Sequence, residues 1–169
     1  MPKPKFRFKT LIPLILEHEG GSKYTQDPTD PGGGTKYGIS HRAYPDENIE
    51  KLTLKRAKEI YLKDYWEAGK VEELPHHLRY IYFDMCVNQG IFRAVKILQQ
   101  ALNRKGAKLK VDGGIGPKTI AAAHQKYMGK HVEVERVRSY RVKHYAHLVE
   151  RRPALEKYWY GWYKRALCV

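Results

Sequence analysis

Apolar residues recur at helical spacing along most of the chain, in segments closed by glycine or proline, and this leaves little room for a sheet. Ile91, Ala94, Ile97, Leu98, Ala101 and Leu102 follow i, i+3, i+4 steps and define a helix over 91–103. A second helix begins at Thr53 and carries Ala57, Ile60, Tyr61, Asp64 and Tyr65 on one face. A third, over 76–89, is apolar nearly all round, which marks a central, buried element. Pro117 opens another at its first position, running to about 127 after the glycine turn 111–116. A long basic helix over 131–151 ends or breaks at Pro153, before the aromatic tail 158–163. Thr10 can cap a first helix over 11–19, with Pro13 tolerated in its first turn and Gly20-Gly21 ending it. Only 22–40 is rich in breakers, and it reads as a loop, or as a short hairpin if the Tyr37/Ile39 side pairs with Tyr24. The expected fold class is mainly α, with at most a small hairpin near residues 22–40.

The charge is unevenly spread. Residues 1–90 hold 14 Lys+Arg against 13 Asp+Glu, a net +1, whereas 91–169 hold 18 against 5, a net +13. Such a surplus suits a polyanionic partner. At 12% aromatic and 42% hydrophobic, the chain is expected to form a real core. No apolar run approaches the ~20 residues of a membrane span, and the two cysteines, Cys86 and Cys168, fit neither a disulfide scaffold nor a zinc site. The eight histidines show no metal spacing, so neither metal nor cofactor is expected. Lys3, Lys5, Arg7 and Lys9 before Leu11–Leu16 imitate a signal peptide, but six apolar residues followed by Glu17, His18 and Glu19 fall short of one.

Two carboxylates on the first helix are separated by geometry. With Ile12 at 0°, Ile15 falls at about 300°, Leu16 at about 40°, Glu19 at about 340° and Glu17 at about 140°. Glu19 therefore lies in the apolar face at the helix C-terminus, where lost hydration and the negative end of the dipole both favour its protonated form. A neutral carboxylic acid is what a glycosidase uses as general acid. The alternative is a structural Glu bonded to the following loop. Asp27 and Asp30 lie beyond the Gly-Gly hinge, where either can face Glu19 or simply cap a turn, and the hydroxyl of Thr35 can hold a water. Asp84 and Asn88, four apart on the buried third helix, read as a polar pair bracing the loop; alternatively Asn88 or Gln89 reaches a cleft and binds sugar. Tyr24, Tyr37 and Tyr65 are candidates to stack on sugar rings.

The stretch Glu19-Gly20-Gly21, then Asp30-Pro31-Gly32-Gly33-Gly34-Thr35-Lys36-Tyr37-Gly38-Ile39, resembles the signature of glycoside hydrolase family 108, which contains lysozyme-like N-acetylmuramidases of bacteria and phages. Phe83 to Gly90, Leu98 to Leu102, Val111 to Thr119 and the closing Gly161-Trp162-Tyr163-Lys164-Arg165 resemble the predicted peptidoglycan-binding region of that family. The resemblance covers about 10–166 and implies a lysozyme-like, two-lobed helical fold: a catalytic lobe over 1–90 and a basic peptidoglycan-binding lobe over 91–169, possibly packed as one domain. It puts the catalytic glutamate at Glu19, with Asp30 and Thr35 as partners similar to the triad of phage lysozymes. Ten residues separate Glu19 from Asp30 and four separate Asp30 from Thr35, a departure from that triad; Asp27 would give seven and seven. Tyr37, Asn88 and Gln89 are the expected sugar contacts.

The expected activity is cleavage of the β-1,4 bond between N-acetylmuramic acid and N-acetylglucosamine by a monomer. The missing signal peptide suggests a phage endolysin, made in the host cytoplasm and released through a separate membrane pore. The basic half is expected to adhere to anionic envelope polymers or lipopolysaccharide. The competing reading is a non-catalytic basic binding protein for cell-wall polymer or nucleic acid; no helix-turn-helix or comparable reading element supports specific nucleic-acid binding.

Overall fold

The computed structural model describes residues 6–26 and 33–169. Asp27 and Asp30 lie outside the described residues. The chain forms two compact units, Met1–Asp64 and Tyr65–Val169, and each is described by itself. The described residues hold seven α-helices and one two-stranded antiparallel sheet. None of those helices is long and apolar enough to cross a membrane.

The first unit opens with α1 (Phe8–His18), which starts earlier than the expected cap at Thr10. Thr10 instead sits inside the first turn, where its hydroxyl accepts the Arg7 N–H at 3.0 Å and donates to the Arg7 carbonyl at 2.9 Å. The helix thereby gains three residues, and Pro13 falls beyond the first turn, exposed on the outer side. Leu11, Ile12, Ile15 and Leu16 form the buried stripe. The helix closes on a Schellman pattern: Gly21 N–H donates to the Leu16 carbonyl at 3.1 Å and Gly20 N–H to the Glu17 carbonyl at 3.5 Å. Gly20 at φ +83° and Gly21 at φ +65° take the left-handed backbone this cap requires.

The returning chain builds the hairpin. β1 (Thr35–Lys36) pairs with β2 (Ile39–Ser40), Lys36 opposite Ile39. On its other side Thr35 exchanges both backbone bonds with Thr25, at 2.9 and 2.8 Å, so the hairpin folds back one residue past the expected Tyr24. Ile39, Ile49 and Leu52 are buried in this unit. α2 (Leu54–Tyr61) is capped by Thr53, whose hydroxyl oxygen accepts the Arg56 N–H at 3.1 Å, and it buries Ala57, Ile60 and Tyr61. A π-helical stretch, Leu62–Glu67, continues from it.

The second unit is built on α3 (Arg79–Gln89), where Ile81 through Cys86 are all buried, as its apolar sequence implies. α3 packs on α4 (Ile91–Arg104), and α4 also packs on α5 (Pro117–His124) and α6 (Val134–Arg151). α5 stops short of 127 because Tyr127 and Lys130 pair across a turn. The aromatic tail forms α7 (Glu156–Cys168) against α6. Asp84, fully buried on α3, accepts hydrogen bonds from Arg141 of α6 at 2.5 Å and from Arg165 of α7 at 2.9 Å. Trp162 stacks on Tyr145 at 5.1 Å. The closing Gly-Trp-x-x-Arg is thus a clasp that fixes α7 to the centre of the unit. The glycine turn is held likewise: the buried Gln99 donates to Asp112 at 2.9 Å and Thr119 at 3.2 Å and accepts Gly113 N–H at 3.0 Å.

Candidate active site

Glu19 is the cap residue of α1, on the same face as Ile15 and Leu16 and in contrast to the exposed Glu17. It is half-buried, and its Oε1 is closed off from solvent. The turn between β1 and β2 comes directly against this side chain. A Cβ built on Gly38 would lie 2.7 Å from the Glu19 Cβ, 2.7 Å from Glu19 Oε2 and 2.7 Å from the Tyr61 hydroxyl. The carboxylate and the phenol oxygen are therefore no farther apart than twice that distance. Tyr61, 1% exposed on α2, donates to the Tyr37 carbonyl at 2.8 Å, and Tyr37 N–H donates to the Gly21 carbonyl at 3.0 Å. The cap that ends α1, the hairpin turn and α2 are thus linked around one carboxyl group.

Three elements supply this geometry for separate local reasons. The Gly-Gly cap ends α1 so that Glu19 sits at the last turn. Gly38 at φ +75° makes the hairpin turn and leaves the space that Glu19 fills. Tyr61 reaches the turn from the buried face of α2. The sequence singled out neither Gly38 nor Tyr61 as a support for Glu19. Gly38 stands in the Gly-Ile that closes the motif, which is a signal; Tyr61 looked like one apolar-face residue among several.

The other expected site residues are distributed as follows. Thr35 lies on β1 with its backbone tied to Thr25. Tyr37 occupies the hairpin turn at φ +53°, with the Lys36 ammonium 5.8 Å from its ring centre. Asp30 is outside the described residues. A second described carboxylate of this unit, Asp64, accepts a hydrogen bond from the Tyr44 hydroxyl at 3.0 Å. Beside the hairpin runs a 490 Å³ groove whose walls carry Tyr24, Gln26, His41 and Asn48 together with the acidic Asp46, Glu47 and Glu50.

Asn88 and Gln89 belong to the second unit, at the end of α3. Asp84 and Asn88 are not bonded as a pair: Asp84 takes the two arginines, while the Asn88 Oδ1 accepts the Tyr145 hydroxyl. Both carboxamide atoms of Gln89 are closed off from solvent without a hydrogen-bond partner among the described residues. Among the described residues, no group of His, Cys, Asp and Glu is placed to hold a metal ion.

Comparison with known proteins agrees with this layout. Residues 12–90 match the family model of glycosyl hydrolase 108, and residues 93–167 match that of a predicted peptidoglycan domain. No curated protein matches. Among solved structures, Brucella abortus SagA is similar at a TM-score of 0.73 and 26% identity, over 94% of this chain and 88% of that one. Matches to a glycosyl hydrolase family over the first half of the chain and to a predicted peptidoglycan domain over the second together support a peptidoglycan hydrolase.

Proposed function

We propose that the enzyme is a lysozyme-type N-acetylmuramidase cleaving the β-1,4 bond between N-acetylmuramic acid and N-acetylglucosamine, with Glu19 as general acid. The observation that carries this reading is the seat of Glu19: a carboxyl at a helix end, one oxygen closed off from water, lodged against Gly38 and beside Tyr61. In this reaction the Glu19 carboxyl gives its proton to the glycosidic oxygen, which leaves with the electron pair of the broken C–O bond. Asp30 meets the positive charge developing at the anomeric carbon or the incoming water, and Thr35 orients that water. Tyr37 stacks on a sugar ring. Asn88 and Gln89 are further sugar contacts in this reading.

The biological setting we propose is a phage endolysin that reaches the wall through a separate membrane pore and lyses the host.

The test uses purified peptidoglycan with wild type and Glu19→Gln. Wild type clears the suspension and releases reducing ends carrying muramic acid; the variant is slower by at least ~10²-fold. Equal clearance by the variant sinks the role of Glu19, and glucosamine at the new reducing ends would identify a glucosaminidase instead. Co-expression with a phage pore protein tests the setting, with lysis expected only when pore and Glu19 are both present.

A further inference from the structure

The second unit contains a recess that glycoside hydrolysis does not use. It lies where α4 packs on α6, with a volume of 330 Å³, at the small end for ligand sites. α4 contributes Arg93 and Lys96 to its wall, and α6 contributes Lys143, His144 and Arg151. The spacing is that of one helical face on each side, so the cations converge on a single concave spot. The lining contains no carboxylate.

Several arginines elsewhere are neutralised: Arg56 by Glu47, Arg79 by Glu72, Arg136 by Glu133 and Arg138 by Glu135. Among the described residues none of Arg93, Lys96, Lys143 and Arg151 has such a partner, and Glu150 is engaged by His147 at 3.0 Å. Two of the cations are also held in place, Lys96 over the Phe92 ring at 4.5 Å and Lys143 over Tyr140 at 6.0 Å. Like charges gathered without compensation raise the energy of the folded state, and a bound anion relieves it. His144 is half-buried in the same wall, and burial, with Arg93 and His147 nearby, lowers its pKa to about 4. Its neutral ring retains one N–H to donate to an oxyanion. Ile97, Tyr140 and Leu148 add apolar surface.

We propose that this recess binds the phosphate group of a phosphorylated envelope saccharide. The guanidinium groups of Arg93 and Arg151 grip the phosphate oxygens with paired N–H donors, Lys96 and Lys143 add charge, and the apolar wall receives the C–H face of the sugar. A nucleic-acid backbone would instead call for cations strung along an extended stripe at phosphate spacing, whereas these meet at one point. The site shares no residue with the chemistry proposed for Glu19 and gives part of the second-half charge surplus a defined purpose.

The test titrates the full-length protein, at low salt, with N-acetylglucosamine 1-phosphate, inorganic phosphate, N-acetylglucosamine and a short DNA duplex, by calorimetry and by the His144 ring signals. The sugar phosphate is expected to shift those signals and to bind at least about threefold tighter than inorganic phosphate, with the unphosphorylated sugar inert at this site. Arg93→Gln/Arg151→Gln should weaken it about tenfold or more at a melting temperature no lower than that of wild type, while Arg93→Lys/Arg151→Lys loses less. Glu19→Gln should bind like wild type, which separates a failure here from a failure of the muramidase reading. Any of four results overturns the proposal: equal affinity in the glutamine variant, inorganic phosphate binding as tightly as the sugar phosphate, competition by the unphosphorylated sugar, or tighter DNA binding lost in the same variant.

Discussion

Replacing Gly38 by alanine puts the seat of Glu19 to a quantitative test. The substitution has two separable costs. A residue with a Cβ at φ +75° pays about 1–2 kcal/mol for the left-handed backbone. The new methyl would also lie 2.7 Å from Glu19 Oε2, the Glu19 Cβ and the Tyr61 hydroxyl, where ordinary contact begins at 3.4 Å. Those groups must retreat by roughly 0.7 Å, which adds about 1–3 kcal/mol of overpacking. Gly21→Ala is the control, because Gly21 has a similar φ of +65° and open space where its Cβ would go. Gly21→Ala should therefore lose only the backbone part, and Gly38→Ala should melt lower still, by ~2–4 °C for each further kcal/mol. Displacement of a catalytic carboxyl by most of an ångström costs about 10–100-fold in rate. Reducing-end release from peptidoglycan by Gly38→Ala should fall by that factor, and that by Gly21→Ala by less than about threefold. If Gly38→Ala melts like Gly21→Ala and retains wild-type turnover, contact between the hairpin turn and Glu19 does not fix the carboxyl, and the reasoning fails.

Two other outcomes follow from the second unit. Asp84→Asn leaves the Arg141 and Arg165 guanidinium groups facing a neutral amide, which should cost about 3–5 kcal/mol in urea unfolding; replacing all three together, as Asp84→Leu/Arg141→Met/Arg165→Met, should recover at least half of that. His144 gives a signed pH effect: burial, the main cause, lowers its folded-state pKa from the ordinary 6.5 to about 4. The unfolded chain then binds the extra proton between those values, so the His144 contribution to stability is complete above the upper value and is lost as pH falls toward the lower one. The groups facing this ring are cationic or neutral (Arg93, Lys96, Lys143, His147, Arg151 and Tyr140) and do not reverse the sign. Melting temperatures of wild type and His144→Gln should run parallel above pH 7 and differ in slope between pH 4 and 6.5. Parallel curves throughout would refute the assignment.

Helical periodicity and turn chemistry were legible without a structure. The buried face of α1, the cap at Thr53, the all-round apolar α3 and the proline opening α5 each follow from side chains within one or two turns of one another, and the wheel that separates Glu19 from Glu17 is of the same local kind. Helix ends were less legible, because a hydroxyl such as that of Thr10 can satisfy a backbone donor on either side of a boundary. Long-range pairings were not legible at all. Gly38 against Glu19 and Tyr61, Gln99 holding the 112–114 turn, and Asp84 shared by Arg141 and Arg165 join residues distant in sequence, and no periodicity records them. The sequence by itself determined which segments are helices, which carboxylate lies on an apolar face, and in which half the positive charge gathers, since these depend on neighbours and counts. Only the tertiary structure decided what packs against that carboxylate and which cations share one recess, because those contacts exist once the hairpin and the helices have met in three dimensions.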